Sequence, residues 1–504
     1  MKTALRSSRL LVLLALLLGV AADRLFVGRS LGISVLLWVA ACLAALGWLS
    51  VAVRRPPARA NLWLGAVAVL LAGMLAVRVT PVLVLLNSAA VAASLLLLVA
   101  HYRGPAVLRF GIVQLAGTWL GALGGLVVAA PAPLGHALSS LPVRRAQVAT
   151  ALPVARGFVL ALPVVVGFGG LLMSADHVFA SYVADTLSFR LPFNVSSLLS
   201  HATVALAVAW LCAGGLVVAL SGPPAATVRD ILPAEGDTQR LYPRYASRPR
   251  LGFTEAITVL VLVDLLFGTF MLVQGAYFFG GLDSLERTGM TYADYARRGF
   301  FELLSVACLA LALLASLALA TQRPTPKRRR GFNMLSLAMV ALVLGMLVSA
   351  FQRMLLYEAA YGFTRLRVYT HSFMVWLAVV LLLYGAALLL DRAKVFLWGA
   401  ALAALVYLIG LNIANPDALI ARANLERYQA SGKLDAYYLA SLSPDATPVL
   451  VEALDTVGPT LRAILLDELV SQRKRLEAQA TEGWPAWNLA RARALAALET
   501  LPAP

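Results

Sequence analysis

Long apolar runs, eleven to thirteen of them, fill the chain up to residue 412 and then stop. Leu10–Ala22, Leu31–Val53, Leu62–Val77, Val82–Ala100, Val107–Ala130, Gly157–Met173 and Leu198–Leu220 come first. Ala256–Phe279, Phe300–Ala320, Met334–Phe351, Tyr369–Leu390 and Val395–Ile413 follow. A helix needs about 20 mostly apolar residues to cross a bilayer, and most of these runs come near that. In hydrocarbon every backbone polar group must be satisfied internally, which leaves helices and closed barrels. The runs are too continuous for the alternating strands of a barrel. The pattern predicts an all-α protein: a polytopic bundle of about 12 spans over 1–412 and a small α-helical domain over 413–504.

Composition agrees. Hydrophobic residues make up 61% of the 504 residues, and mean hydropathy is +0.82, which excludes a soluble globule. The formal charge of +17 alone would suggest nucleic acid, but its distribution argues otherwise. Residues 413–504 hold nine Lys/Arg and eleven Asp/Glu, net −2, which leaves +19 on the first 412 residues. That excess sits in short loops between apolar runs, as cytoplasmic loop charge does, so no nucleic-acid partner is expected. The partner composition does imply is the lipid bilayer.

Loop charge also orients the chain. Lys327-Arg328-Arg329-Arg330 marks a cytoplasmic loop, and Arg229, Arg240, Arg244, Arg248 and Arg250 mark another. Two spans separate them, so the signals agree. Residues 280–298 and 352–368 then fall outside, and two further spans leave the tail extracytoplasmic. In the N-terminal half Lys2, Arg6 and Arg9 ask for an inside start, and Arg54, Arg55 and Arg59 agree. Arg144, Arg145 and Arg156 also ask for the inside, but three runs intervene, which is the wrong parity. The first run resembles a signal peptide. Asp23, Arg24 and a second full run follow at once, so it reads as an uncleaved span.

The tail differs in kind. Asn415-Pro416-Asp417 is a helix-start signal, and Ser443-Pro444-Asp445 repeats it. Leu461, Ile464, Leu465, Glu468 and Leu469 keep helical apolar spacing, and Gly432, Gly458 and Gly483 punctuate the segment. Four or five short amphipathic helices are expected.

Several polar positions stand out. Asp264 lies within an apolar run, where a carboxylate should face protein or water rather than lipid. Gly268, Met271 and Gly275 continue its face as a narrow stripe. It reads either as a proton or cation relay or as one carboxylate hydrogen-bonded inside the bundle. Asp294, Arg298 and Glu302 recur every four residues as an acid–base–acid ladder, with Tyr292 and Tyr295 suited to the interface. Arg353, Tyr357, Tyr361 and Arg365 share a face if their helix continues, with Glu358 beside them. Arg with Tyr suits an anionic head group, or equally a closed structural network. Gly117, Gly121 and Gly125 form a small-residue stripe for helix packing.

Cys42, Cys212 and Cys308 lie inside apolar runs with no CxxC pair, and read as buried thiols. His101, His136, His177, His201 and His371 are dispersed. No metal site, cofactor or catalytic residue is indicated: HExxH, a Gly-Lys-Ser/Thr phosphate loop and GxSxG are all missing. Asn194-Val195-Ser196 is only a short match to a glycosylation sequon.

Ser174–Phe179, Tyr292–Leu303, Tyr357–Tyr369, Asn415–Arg422 and Leu434–Ala446 together resemble a bacterial family of polytopic membrane proteins, labelled as a domain of unknown function of the 4153/4173 type. The tyrosine–arginine segments carry the specific part. The resemblance implies an integral protein of the bacterial cell membrane and supplies no activity to carry over.

Three functions are then in view. The first is a non-enzymatic scaffold or sensor-like partner that contacts another protein through its tail. The second is a small-solute or ion carrier built on Asp264. The third is a membrane-embedded transferase for a lipid-linked substrate, with Asp283, Asp294 or Glu358 as base and arginines holding phosphate.

Overall fold

The computed structural model describes residues 2–130, 195–221, 252–279, 300–321 and 325–501. Among them the regular structure is helical, with no strand. The helices are α1 (Lys2–Phe26), α2 (Ile33–Ala52), α3 (Trp63–Val77), α4 (Pro81–His101), α5 (Ile112–Val128), α6 (Val195–Ser221), α7 (Phe253–Phe279), α8 (Phe300–Ala320), α9 (Pro326–Tyr361), α10 (Arg365–Leu389) and α11 (Ala393–Ala414). The tail adds α12 (Pro416–Ser431), α13 (Ala436–Ala440), α14 (Thr447–Ala453), α15 (Pro459–Ala480) and α16 (Leu489–Leu498). Nine helices among the described residues are long and apolar enough to cross a membrane. The arginines at 144, 145 and 156, whose parity conflicts with the rest, lie outside the described residues, as does the run Gly157–Met173.

By contact the chain forms two compact units. Met1–Pro233 and Lys474–Ala492 make the first, and Ala234–Arg473 with Arg493–Pro504 make the second. The division therefore does not follow the change in hydropathy near residue 413, because tail segments close onto the ends of spans.

In the first unit α1 and α6 run in close contact. A β-carbon at Gly19 would strike the Ala205 carbonyl, so glycine there sets the approach. Asp23, in the last turn of α1, pairs with His201 of α6 at 2.7 Å. Gly125 of α5 is buried against Val218 of α6, and a β-carbon at Gly214 would meet the Leu126 carbonyl. Gly121 and Gly117, one and two turns earlier, are half-buried. Cys42 of α2 and Cys212 of α6 lie close enough for their thiols to interact, a pairing their sequence spacing does not suggest.

The two ends of this unit are built differently. At one end Arg55 and Arg103 both donate to the Leu220 carbonyl, at 2.9 and 2.7 Å. Cations at a helix C-terminus offset its partial negative charge and fill an orphan acceptor. Asn61, fully buried, bonds the His101 carbonyl at 2.7 Å and the Val107 amide at 2.9 Å, which knits the α2–α3 and α4–α5 links together.

At the other end the chain's own C-terminal segment closes the bundle. Glu482 Oε2 accepts from both Ser30 N and Ser30 Oγ at 2.6 Å. Ile33 N donates to the Trp487 carbonyl at 2.9 Å, and Arg491 reaches the Leu31 carbonyl. Burial pulls the Arg491 guanidinium below its ordinary range, and Glu482 opposes that. Asn488 Nδ2 donates to the Leu75 carbonyl at 2.9 Å, while its Oδ1 accepts from Ala490 N at 2.9 Å and so caps α16.

The second unit packs α7, α8, α9 and α10 around Leu260, Leu314, Met339, Met346, Met374 and Leu381. Its longest element is α9, with 36 residues. At 1.5 Å per residue it runs about 54 Å, against about 30 Å of hydrocarbon. Only its apolar middle is needed to span, and both polar ends stand beyond it. Thr325 accepts from Arg328 N at the start, and Pro326 fits the first turn. Lys327, Arg328, Arg329 and Arg330 are exposed there. Arg329 pairs with Asp391 in the α10–α11 link, and Arg328 lies over the Phe253 ring.

Candidate functional site

At the opposite end of the second unit, α9 stops at Tyr361 because Gly362 turns the chain with φ +79° and ψ −177°. Backbone of that kind is essentially a glycine conformation. Arg353, Tyr357 and Tyr361 lie on α9, but Arg365 does not continue their face: it opens α10, with Thr364 accepting from Arg367 N as cap.

Helix α12 then seats on this corner. Asn424 takes the Phe363 backbone from both sides, its Oδ1 accepting from Phe363 N and its Nδ2 donating to Phe363 O, each at 2.8 Å. Arg427 donates to the carbonyls of Ala359 and Ala360, at 3.2 and 2.6 Å. These acceptors belong to the last turn of α9, where no intrahelical donor remains.

The centre of the contact is Arg365 with Asp417. Nε donates to Oδ1 at 2.9 Å and Nη2 to Oδ2 at 2.6 Å. The Asp417 side chain is 0% exposed, and its Oδ2 also accepts from Ser443 N at 2.9 Å. A carboxylate so buried requires the paired charge and the added donor. Arg365 N donates to the Tyr438 hydroxyl at 2.6 Å. Burial raises the Tyr438 phenol above its usual range, with the Arg365 amide pulling the other way. The corner, α12 and the 438–443 segment are thus joined by one polar network.

Other polar side chains of the segment make contacts of their own, although Glu358 Oε1 and the Tyr369 hydroxyl are buried without a hydrogen-bond partner among the described residues and Tyr361 is exposed. Glu358 is 3% exposed and pairs with His371 at 3.0 Å, whose ring stands edge-on to Phe351. Arg367 lies over the Tyr357 ring at 4.2 Å and near Tyr361, and donates to the Gly362 carbonyl. Arg353 is buried. Arg365 Nε and Nη2 are both spent on Asp417, an arrangement suited to holding two segments together.

The helix-start signals in the tail act differently from their sequence reading. Pro416 does occupy the first turn of α12. Asn415 makes no side-chain cap; it sits at φ +52° and donates to the Asp445 carbonyl. Asp417 is spent on Arg365. Ser443-Pro444-Asp445 precedes α14 by a turn, and α14 starts at Thr447.

Elsewhere in this unit, Asp264 on α7 shares a face with Leu260, Phe267 and Met271, which line the core. Both its oxygens are shielded and have no hydrogen-bond partner among the described residues. Met271 packs on Gly345 of α9, whereas Gly268 looks onto open space. Glu302 is exposed in the first turn of α8. Arg298, Asp294, Tyr292, Tyr295 and Asp283 lie outside the described residues. Among the described residues no group of three His, Cys, Asp or Glu could hold a metal ion.

Sequence reasoning alone did not find Asp417, Asn424, Arg427, Tyr438 or His371 as partners. One signal was present: three of the segments that carried the resemblance, 357–369, 415–422 and 434–446, are the three that meet here.

Long apolar helices whose polar ends carry the charge define a multi-pass helical membrane protein. The chain belongs to the family described as Domain of unknown function (DUF4153), which matches residues 65–453 and so takes in both sides of the Arg365–Asp417 contact. No curated protein and no solved structure matches the chain.

Proposed function

We propose that this protein is a non-enzymatic membrane scaffold, sensor-like in that its tail is mechanically tied to its spans and engages a protein partner outside the hydrocarbon. The observation that carries this reading is the Arg365–Asp417 pair with its neighbours. Among the described residues Arg365 is engaged by Asp417 and Glu358 by His371, which supports a holding role for this corner. What remains outward is a tail surface next to the clasp: a shallow groove of about 250 Å³ lined by Tyr437, Ala440, Ser441, Ile464, Asp467 and Glu468. Tyr437 is 76% exposed.

Charge supports an extracytoplasmic tail in a bacterial cell membrane. In each unit, taken by itself, the arginine-rich links lie at the end away from the tail contacts. These are Arg54, Arg55, Arg59 and Arg103 in one unit and Lys327–Arg330 in the other.

The test is a photo-crosslinking amino acid at position 437 of the full-length chain in native membranes. A discrete protein adduct that disappears in Asp417→Ala supports the scaffold. Lipid adducts alone, or a protein adduct indifferent to Asp417, overturn it.

A second reading, the small-solute or ion carrier, keeps one observation in its favour: the Asp264 carboxylate, which has no hydrogen-bond partner among the described residues. Intramembrane acids serve ion pathways by default. Loss of uptake in Asp264→Asn with normal insertion would favour it.

A further inference from the structure

The stretch 482–488 belongs, by sequence, to a water-bathed tail. Its contacts put it elsewhere. Ser30, Gly32 and Ile33 hold it at the α1–α2 link, through Glu482 and the Trp487 carbonyl. Asn488 holds it at the end of α3, through the carbonyls of Leu75 and of Arg78 just beyond the helix. Gly32 touches it so closely that a β-carbon would lie 2.8 Å from the Ala486 carbonyl oxygen. The apolar stretches of α1, α2 and α3 all end within about a turn of these contacts, so the segment is pinned at the boundary of the hydrocarbon.

At that depth the segment turns two indole rings outward. Trp484 is 68% exposed and Trp487 is 48% exposed, while Pro485 and Ala486 between them are buried. Leu31 beside them is also exposed. Rings this large gain little by facing water, and their amphipathic character favours the headgroup layer, where the apolar body meets acyl chain and the N–H meets water or phosphate. We propose that residues 482–488 are an interfacial membrane anchor, with Trp484 and Trp487 seated in the headgroup layer of the bilayer that the helices cross. The lipid surface is the chosen occupant because the patch is continuous with the ends of α1 and α2 and is fixed at their link by the Ile33 N–Trp487 O hydrogen bond and the Ser30–Glu482 contacts.

The experiment uses the full-length protein in phosphatidylcholine–phosphatidylglycerol vesicles. The chain holds nine tryptophans, so the emission of Trp484→Phe/Trp487→Phe is subtracted from that of the wild type to isolate the pair. The pair should emit at shorter wavelength than indole in water. Its emission should be lost when lipids carry bromine near the top of the acyl chain, and retained with aqueous iodide. Iodide quenching without bromolipid quenching would overturn the anchor and return the segment to solvent. Quenching by neither would also overturn it, since the rings would then be covered by a second copy or another protein. If the double variant fails to insert, Trp484→Phe and Trp487→Phe are read singly by the same subtraction.

Discussion

Arg365 and Asp417, 52 residues apart, face each other through two parallel hydrogen bonds at the foot of α10 and tie the tail to the spans of the second unit. Removing one partner of a buried pair leaves an uncompensated charge, which costs about 3–5 kcal/mol. Arg365 is partly exposed, so it tolerates the loss better than Asp417 would. Asp417→Ala is therefore expected to cost about 3 kcal/mol. Arg365→Met, which strands a fully buried carboxylate, should cost more. Thermal unfolding in detergent checks the order, and the double variant should recover part of the loss.

Gly362 carries the same corner by conformation. A side chain there meets an unfavourable backbone region and the Asn424 amide at once. Gly362→Ala should cost about 1–3 kcal/mol and release α12. The readout is protease cleavage near residues 362–365, which should appear in the variant and be absent from the wild type.

Helices were legible in the sequence because apolar length reports them directly, and the Arg/Tyr segment was legible as a polar patch. Its partners were not. Asp417 reads locally as a first-turn helix acid, and only the fold turns it to Arg365. The Gly362 break was equally hidden: an unbroken helix would have kept Arg353 and Arg365 on one face, and a single left-handed residue separates them. The contact of Ser30 with Glu482 crosses 452 residues, beyond the reach of any local pattern. Asp264 was legible as unusual, but whether a donor met it depended on packing alone.

In the first unit Asn488 serves two structures together, capping α16 and binding the end of α3. Asn488→Ala should cost about 2 kcal/mol, part cap and part unsatisfied carbonyl. Gly32→Val should do at least as much by forcing the 486–487 backbone away. Both should expose the α1–α2 link to protease, and neither should alter cleavage at residues 362–365.

Cys42 and Cys212 offer a direct check on how α2 meets α6. A permeant aromatic disulfide should oxidise the two thiols to one intramolecular disulfide and be reduced to its own thiols in turn. Two of the three cysteines would then resist maleimide labelling until reductant is added, with Cys308 still reactive. Cys42→Ser and Cys212→Ser should each abolish the protection. Labelling of all three after oxidation would mean that the thiols do not approach.

Asp264 separates the two functional readings by stability as well as by transport. A shielded carboxylate that finds no hydrogen-bond partner among the described residues is a cost to the fold, whichever protonation state it holds. If the residue has no work to do, Asp264→Leu should stabilise the protein by about 1–3 kcal/mol, since it removes that cost and adds apolar contact beside Phe267. A carrier would retain the destabilising acid because transport needs it, so the same substitution would raise thermal stability and abolish uptake together. A scaffold would gain stability and keep its partner adduct at Tyr437. A fall in stability would show instead that the carboxylate is engaged, and would withdraw the observation that keeps the carrier reading alive.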